Sequence, residues 1–310
     1  RLMELHSLFA FLNNGLLGTA TQFRSMLKDI ETKGKSDYSG LKKLIRPFLL
    51  RRLKNDPKIA PDLPSKTECL HYCHLTPEQA QLYAREVDKM QAVIAEPDPQ
   101  VRMGLLLPIL GQLKQICNHP AQYLGEPILD RERSGKMMAV EQLVRELAAA
   151  GEPCLIFSQY RATMEALFDM LQEIYGSSGL MLHGGTPLAQ RQGLVEQFQQ
   201  ADGPPYMVLS LKAAGTGLTL TRARHVIHFD RWWNPAVEAQ ASDRAHRIGQ
   251  QRAVFIHPIM SRGTIEQNIH KMLANKRDMA EGLLGSGFES HLRNMSAEEL
   301  MQLVTSPLTI

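Results

Sequence analysis

The chain has 310 residues, room for about two domains at ~100–200 residues each. Hydrophobic residues make up 44% and charged residues 22%, which excludes wholesale disorder and supplies a sizeable core. Lys and Arg number 35 against 32 Asp and Glu, a formal net charge of +3, so a surface for nucleic acid would need locally arranged basic residues rather than bulk charge. Four cysteines exclude a disulfide scaffold and point to a reducing compartment. No apolar run reaches the ~18 residues of a membrane span, so no membrane partner is expected. No signal peptide opens the chain. It begins on Arg1 rather than Met and is read as a piece of something longer.

No fixed-period repeat or low-complexity tract is present. Leu2, Leu5, Leu8 and Phe9 follow helical spacing, as do Leu41, Leu44, Ile45 and Phe48, with a loop at Gly34-Lys35-Ser36-Asp37 between them. Residues 46–54 mix basic and apolar side chains, and Pro57, Pro61 and Pro64 then stop regular structure. Residues 66–74 read as an isolated strand. Thr76-Pro77 opens helical material that continues to about residue 122, broken near Glu96-Pro97-Asp98-Pro99. Residues 125–134 are loop-like.

From residue 135 the rhythm changes. Helices are expected over 137–149 and 160–174, after a Thr186 cap with Pro187 at the first position, and from Asn234-Pro235 to about 248. Strands are expected at 154–157, 180–182, 206–211, 225–229 and 253–257. Residues 264–310 return to helix, with a capping box at Met295–Glu299. Short apolar strands alternating with helices predict an α/β fold, a doubly wound parallel sheet covered on both faces. Ligands bind at the carboxyl ends of such strands. That puts Ser158-Gln159, His183-Gly184-Gly185, Lys212–Gly217 and Asp230–Asn234 on one edge.

Three patterns carry chemistry. On a continuous helix Gln240, Arg244 and Arg247 would share one stripe, where two guanidiniums clamp a phosphate or merely face solvent beside acids. The run Leu211–Leu220 places Lys212, Gly215 and Gly217 after a strand, either as a phosphate-approaching loop or as an ordinary tight turn. Both tryptophans, Trp232 and Trp233, are adjacent, so one ring near the surface for stacking and plain packing of both stand as alternatives. No complete P-loop occurs. No metal site is expected: Cys69, His71 and Cys73 spread over ~13 Å of strand at ~3.3 Å per residue, too far for one ion with ligands at ~2.0–2.3 Å. Ser158 lacks a Gly-x-Ser-x-Gly elbow, which argues against a Ser158–His183–Asp230 hydrolase triad.

Residues 135–270 resemble the second RecA-like lobe of Snf2-family (SWI2/SNF2) ATPases of helicase superfamily 2. Leu155–Tyr160 looks like motif IV, Leu182–Gly185 like motif IVa, and Leu209–Leu220 like motif V. Asp230–Pro235 and Gln240–Gln250 look like the approach to motif VI and motif VI itself. Arg46–Lys54 and Leu63–Lys66 resemble the family's exit from lobe 1, and Gln115–Pro120 its lobe 2 protrusion. The double Trp and the tail look most like bacterial members. Motif V departs at Ala214, where Gly is usual, and at Thr219, where Asn is usual.

The resemblance implies a lobe 1 remnant over 1–75, a helical protrusion over 76–133, a RecA-like lobe over 134–262 and a helical segment over 263–310. The 66–74 strand would be the last of lobe 1. It implies the C-terminal half of a DNA-stimulated ATPase that translocates on double-stranded DNA. ATP and Mg2+ would be held mainly by lobe 1 of the same polypeptide. Arg244 and Arg247 match arginine fingers, with Gly215, Gly217, Gln240 and Asp243 on the nucleotide side. Ser158, Gln159, His183, Gly184, Lys212, Trp233 and Asn234 match the DNA side. The target would be duplex DNA or a protein–DNA complex, in the bacterial cytoplasm at the nucleoid, or in a nucleus. The competing expectation is a stand-alone DNA- or protein-binding adaptor.

Overall fold

A computed structural model describes residues 2–32, 38–50, 63–213, 217–277, 292 and 295–305. The Gly34–Asp37 loop, Arg51–Lys54, Ala214 and Gly215 lie outside the described residues. Three short helices come first, α1 (Leu2–Leu12), α2 (Ala20–Thr32) and α3 (Ser39–Ile45), joined by a core of Phe9, Phe23, Leu41 and Ile45. Strands β1 (Lys66–Glu68) and β2 (His71–Cys73) follow, then helices α4 (Pro77–Ile94), α5 (Pro99–Asn118) and α6 (Pro120–Leu124). Helix α4 starts as the sequence predicts: Thr76 accepts from the Gln79 backbone, Gln79 returns the bond, and Pro77 fills the first position.

The alternating part runs α7 (Gly135–Ala149), β3 (Cys154–Ser158), α8 (Arg161–Tyr175), β4 (Leu180–Leu182), α9 (Leu188–Gln199), β5 (Tyr206–Ser210), β6 (His225–His228), α10 (Pro235–Ser242) and β7 (Val254–Ser261). Helices α11 (Ile265–Arg277) and α12 (Ala297–Val304) close it, the latter with the expected Ser296–Glu299 capping box. The strand order is β1-β7-β6-β3-β5-β4, with β2 also on β7, and every pairing is parallel. The doubly wound parallel sheet expected from the sequence is therefore the fold.

Strand periodicity sorts the core. Cys154 and Ile156 of β3, with Tyr206, Val208 and Ile227, pack under α7 and α8 through Val140, Val144, Leu167 and Leu171. Leu155 and Phe157, with Met207, Leu209 and Val226, face Phe198 of α9 and Ala241 of α10. A third core joins α4 and α5 to α11 and α12 through Tyr83, Met90, Leu110, Leu113, Ile265 and Leu300. Residues from both flanks of the sheet thus form one helical body. Among the described residues no helix is long and apolar enough to cross a membrane.

Three expectations are corrected. Residues 66–74 are neither an isolated strand nor part of another sheet. They pair with β7, Lys66 opposite Val254 and His71 opposite Ile259, the same register offset of 188 in both pieces (254 − 66 and 259 − 71). Leu70 interrupts one edge strand. Thr186 does not cap α9, because its hydroxyl accepts from the His183 backbone N–H at 3.1 Å and closes the preceding turn; the helix starts at Leu188 after Pro187. Helix α10 ends at Ser242, not near 248. Two other donors take the carbonyls that would prolong it: Leu220 N–H donates to Arg244 O at 2.8 Å, and Gln250 Nε2 donates to Ala245 O at 3.2 Å. Gln240, Arg244 and Arg247 therefore do not lie on one continuous helix.

Candidate functional site

Strand β3 is the switch point of the sheet. The chain builds β4 and β5 on one side of it, then crosses to place β6 and β7 on the other. A crevice at the carboxyl end of such a strand is where doubly wound folds bind ligands. There Ser158 donates to Asp230 Oδ2 at 2.5 Å, and Gln159 donates to Oδ1 through Nε2 at 2.9 Å and through its backbone N–H at 3.2 Å. Asp230 is fully buried. Burial pushes its carboxyl up, while the Lys114 charge and the Ser158 hydrogen bond oppose that shift.

This geometry sorts the residues assigned to DNA. Ser158 has no exposed surface and its hydroxyl is spent on Asp230, so it shapes the edge and cannot touch a ligand itself. Gln159 is half-buried; Gly184, Lys212 and Asn234 are exposed. His183 is half-buried, its Nδ1 receiving the Gly185 N–H at 3.0 Å and lying 3.2 Å from Arg161 Nη1. Asn234 caps α10 by accepting from Ala236 N–H at 3.0 Å. The two tryptophans divide: Trp232 packs on the α9–α10 side of the sheet and Trp233 on the helical body. Both are half-buried, so each keeps one part in a core and one at the surface.

The motif VI segment forms a tight turn against motif V. Arg247 Nη1 donates to Gly217 O at 3.0 Å, Leu218 O at 3.2 Å and Thr219 Oγ1 at 3.2 Å. Thr219, the departure from the usual Asn, thus still supplies a side-chain acceptor to this arginine. Gly217 has φ +74, a backbone state that L side chains rarely adopt. Arg244 is buried, and its Nε has no hydrogen-bond partner among the described residues. Burial and the Arg247 charge lower its pKa, with Asp243 opposing. Gln240 is exposed on α10. Asp243 pairs with Lys66 of β1 at 3.1 Å, and His246 Nε2 lies 2.8 Å from Pro64 O, so the turn is pinned to the entering edge strand.

Sequence reasoning missed the buried charges behind the edge. Lys114 of α5 is 1% exposed and donates to Arg231 O at 2.5 Å. Lys136 of α7 pairs with Glu266 of α11 and donates to Phe229 O at 3.1 Å. Glu238 of α10 accepts from Trp232 N–H at 2.5 Å and pairs with Arg231 at 2.9 Å. The one available signal was a lysine inside an apolar helical run, Leu113-Lys114-Gln115-Ile116.

Residues 1–122 match the SNF2-related domain and residues 135–249 the Helicase conserved C-terminal domain. Bacillus subtilis YwqA, whose name is that of an ATP-dependent helicase/translocase, is 42% identical over the whole chain; the chain spans 34% of its length. The Sulfolobus solfataricus SWI2/SNF2 ATPase core in complex with dsDNA superposes at a TM-score of 0.70 with 37% identity, over 97% of this chain and 63% of that one. The Sulfolobus solfataricus SWI2/SNF2 ATPase C-terminal domain is 34% identical at a TM-score of 0.67, over 79% of this chain and all of that one, 100%. With the fold, the motif order and a complete counterpart domain all in agreement, the chain belongs to the SWI2/SNF2 (Snf2) family.

Proposed function

We propose that this chain is the C-terminal half of an ATP-driven translocase on double-stranded DNA, closing over Mg-ATP held mainly by another lobe of the same polypeptide. The observation that carries the reading is Arg244: a buried guanidinium whose Nε donor is unpartnered among the described residues, beside the motif V loop. An unmet buried donor is costly. A phosphate oxygen would satisfy it, and a guanidinium binds phosphate in a planar fork. The site's donors, guanidinium and backbone N–H, suit the phosphates rather than the metal. When bound, the Mg2+ ion neutralises charge on the phosphates.

In this reading Arg244 offsets charge on the transferred phosphoryl group. Arg247 first braces the Gly217–Thr219 loop through Nη1 and offers its other nitrogens to phosphate. Gly215, Gly217 and Gln240 line the nucleotide side, and Asp243 holds the turn through Lys66. On the other part of the edge Gln159, His183, Gly184, Lys212, Trp233 and Asn234 meet the duplex, mostly at phosphates, which gives grip with little sequence reading. Ser158 acts through Asp230. The target is duplex DNA, bare or carrying a protein. In the full-length protein, Arg244→Ala is expected to lower ATP turnover by about 10³-fold or more, while equilibrium ATP binding persists. Unchanged turnover would refute the assignment.

A further inference from the structure

Loop 230–234, which leaves β6 at the switch point, is held from two sides. From α10, Glu238 takes the Trp232 N–H at 2.5 Å and the Arg231 guanidinium at 2.9 Å. From α5, in the separate helical body, Lys114 reaches across. Its ammonium donates to Arg231 O at 2.5 Å and lies 4.4 Å from the centre of the Trp233 ring and 5.9 Å from that of Trp232. None of the described ion pairs includes Lys114, although it is 1% exposed. A buried ammonium is expensive unless its N–H groups and charge are met. A carbonyl, an indole face and the field of Asp230 meet them here, so the cation has a geometric reason to sit only where the loop is formed.

We propose that Lys114 is a positioning residue for DNA engagement: its ammonium seats the Arg231 carbonyl and the Trp233 ring, and so ties the DNA-facing loop to helix α5. This rests on the reading that the loop meets duplex DNA. Two consequences follow. A leucine or methionine at this position fills the space but releases the carbonyl and loses the cation–π contact. An arginine keeps the charge, the donor and the stacking. Burial also lowers the Lys114 pKa to about 8; Asp230 of the loop, Glu266 of α11 and Glu238 of α10 oppose that shift, and Lys136 of α7 adds to it. Deprotonation leaves one lone pair and removes the cation, so the tryptophan environment changes with it.

The chain reports on this loop by itself, because Trp232 and Trp233 are its only tryptophans. The test measures tryptophan emission and acrylamide quenching of the 310-residue chain, with urea unfolding as the fold control and a labelled duplex as the binding probe. Lys114→Met is expected to shift emission, raise quenching and weaken duplex binding about ten-fold. Lys114→Arg is expected to restore all three. Emission and quenching unchanged in a folded Lys114→Met, or an arginine variant as defective as the methionine one, overturns the proposal. Should Lys114→Met fail to fold, the parent chain carries the test: its tryptophan emission is expected to titrate with a midpoint near the Lys114 value of about 8, and a flat profile from about pH 7 to about pH 9.5 overturns the proposal. If the parent chain binds no duplex, the DNA reading fails, while the fluorescence results still decide whether Lys114 seats the loop.

Discussion

Ser158 shows how a residue at the mouth of a crevice can work without touching what enters it. Its hydroxyl donates to Asp230 and accepts the Tyr160 N–H at 3.2 Å, which bends the chain out of β3 into α8. Three donors converge on the Asp230 carboxyl from Ser158 and Gln159, and all of them stabilise its charged form in a fully buried place. Ser158→Ala removes one hydrogen bond to the buried Asp230 carboxyl. The expected loss of stability is about 1.5–3 kcal/mol, read from urea unfolding. A midpoint equal to that of the parent would show that Gln159 alone suffices. Positions 158 and 230 were legible as edge residues from sequence. Their mutual bond was not, because it links residues 72 apart through a register that only the folded sheet sets.

The edge strand β1–β2 is the element that the sequence placed least well, and its attachment has a pH-sensitive part. His71 Nε2 lies 2.9 Å from His257 Nδ1, and His257 Nε2 lies 3.0 Å from His225 Nδ1, so three imidazoles run in a row across β2, β7 and β6. Each neutral ring can donate once and accept once, and the row holds at most one extra proton before two N–H groups face each other. Burial, then the neighbouring His225 and His71, lowers His257 to about 3. Burial also lowers His71, against the pull of Glu146, and His225, helped by Arg224 and Arg252 and opposed by Glu152. Histidines depressed below the unfolded value of ~6.5 contribute their full stability above that pH and lose it as pH falls toward the folded values. Urea midpoints are therefore expected to drop from about pH 7 to about pH 5, with amide protection relative to the intrinsic exchange rate falling across residues 66–73. In His257→Phe the drop becomes shallower; an identical slope would show that the row does not couple the strand to pH. This contact is not legible locally, since residues 66–74 read as one isolated strand and the register offset of 188 to β7 appears only in the folded sheet.

Across the fold, local rhythm was readable and long-range capture was not. Strands β3 to β6 and helices α7 and α8 followed from apolar runs and helical spacing, because each is decided by its own residues packing on one sheet. Helix α10 stops short of its expected end because Leu220, from the loop after β5, takes the Arg244 carbonyl and the Gln250 side chain takes that of Ala245. The functional halves follow the same rule. The chain carries the Arg244–Arg247 turn packed on the Gly217–Thr219 loop, but its one Gly-Lys-Ser, Gly34-Lys35-Ser36, has Asp29 where the P-loop needs its first Gly. Asp29 sits in helix α2, whereas a P-loop follows a strand. Phosphoryl transfer depends on a backbone cradle, a lysine and a metal held together around the same phosphates, and Arg244 can add to that assembly without replacing it. The 310-residue chain is therefore expected to hydrolyse no ATP, with or without duplex DNA, while binding duplex with an affinity that falls as salt rises. Phosphate release over a no-enzyme control, with DNA at saturation, is the measurement. Turnover abolished by Arg244→Ala would mean that this chain builds a complete site. Turnover that appears only when a Snf2-family lobe carrying a P-loop is joined to the chain in one polypeptide would place the two halves of the site on opposite sides of one cleft.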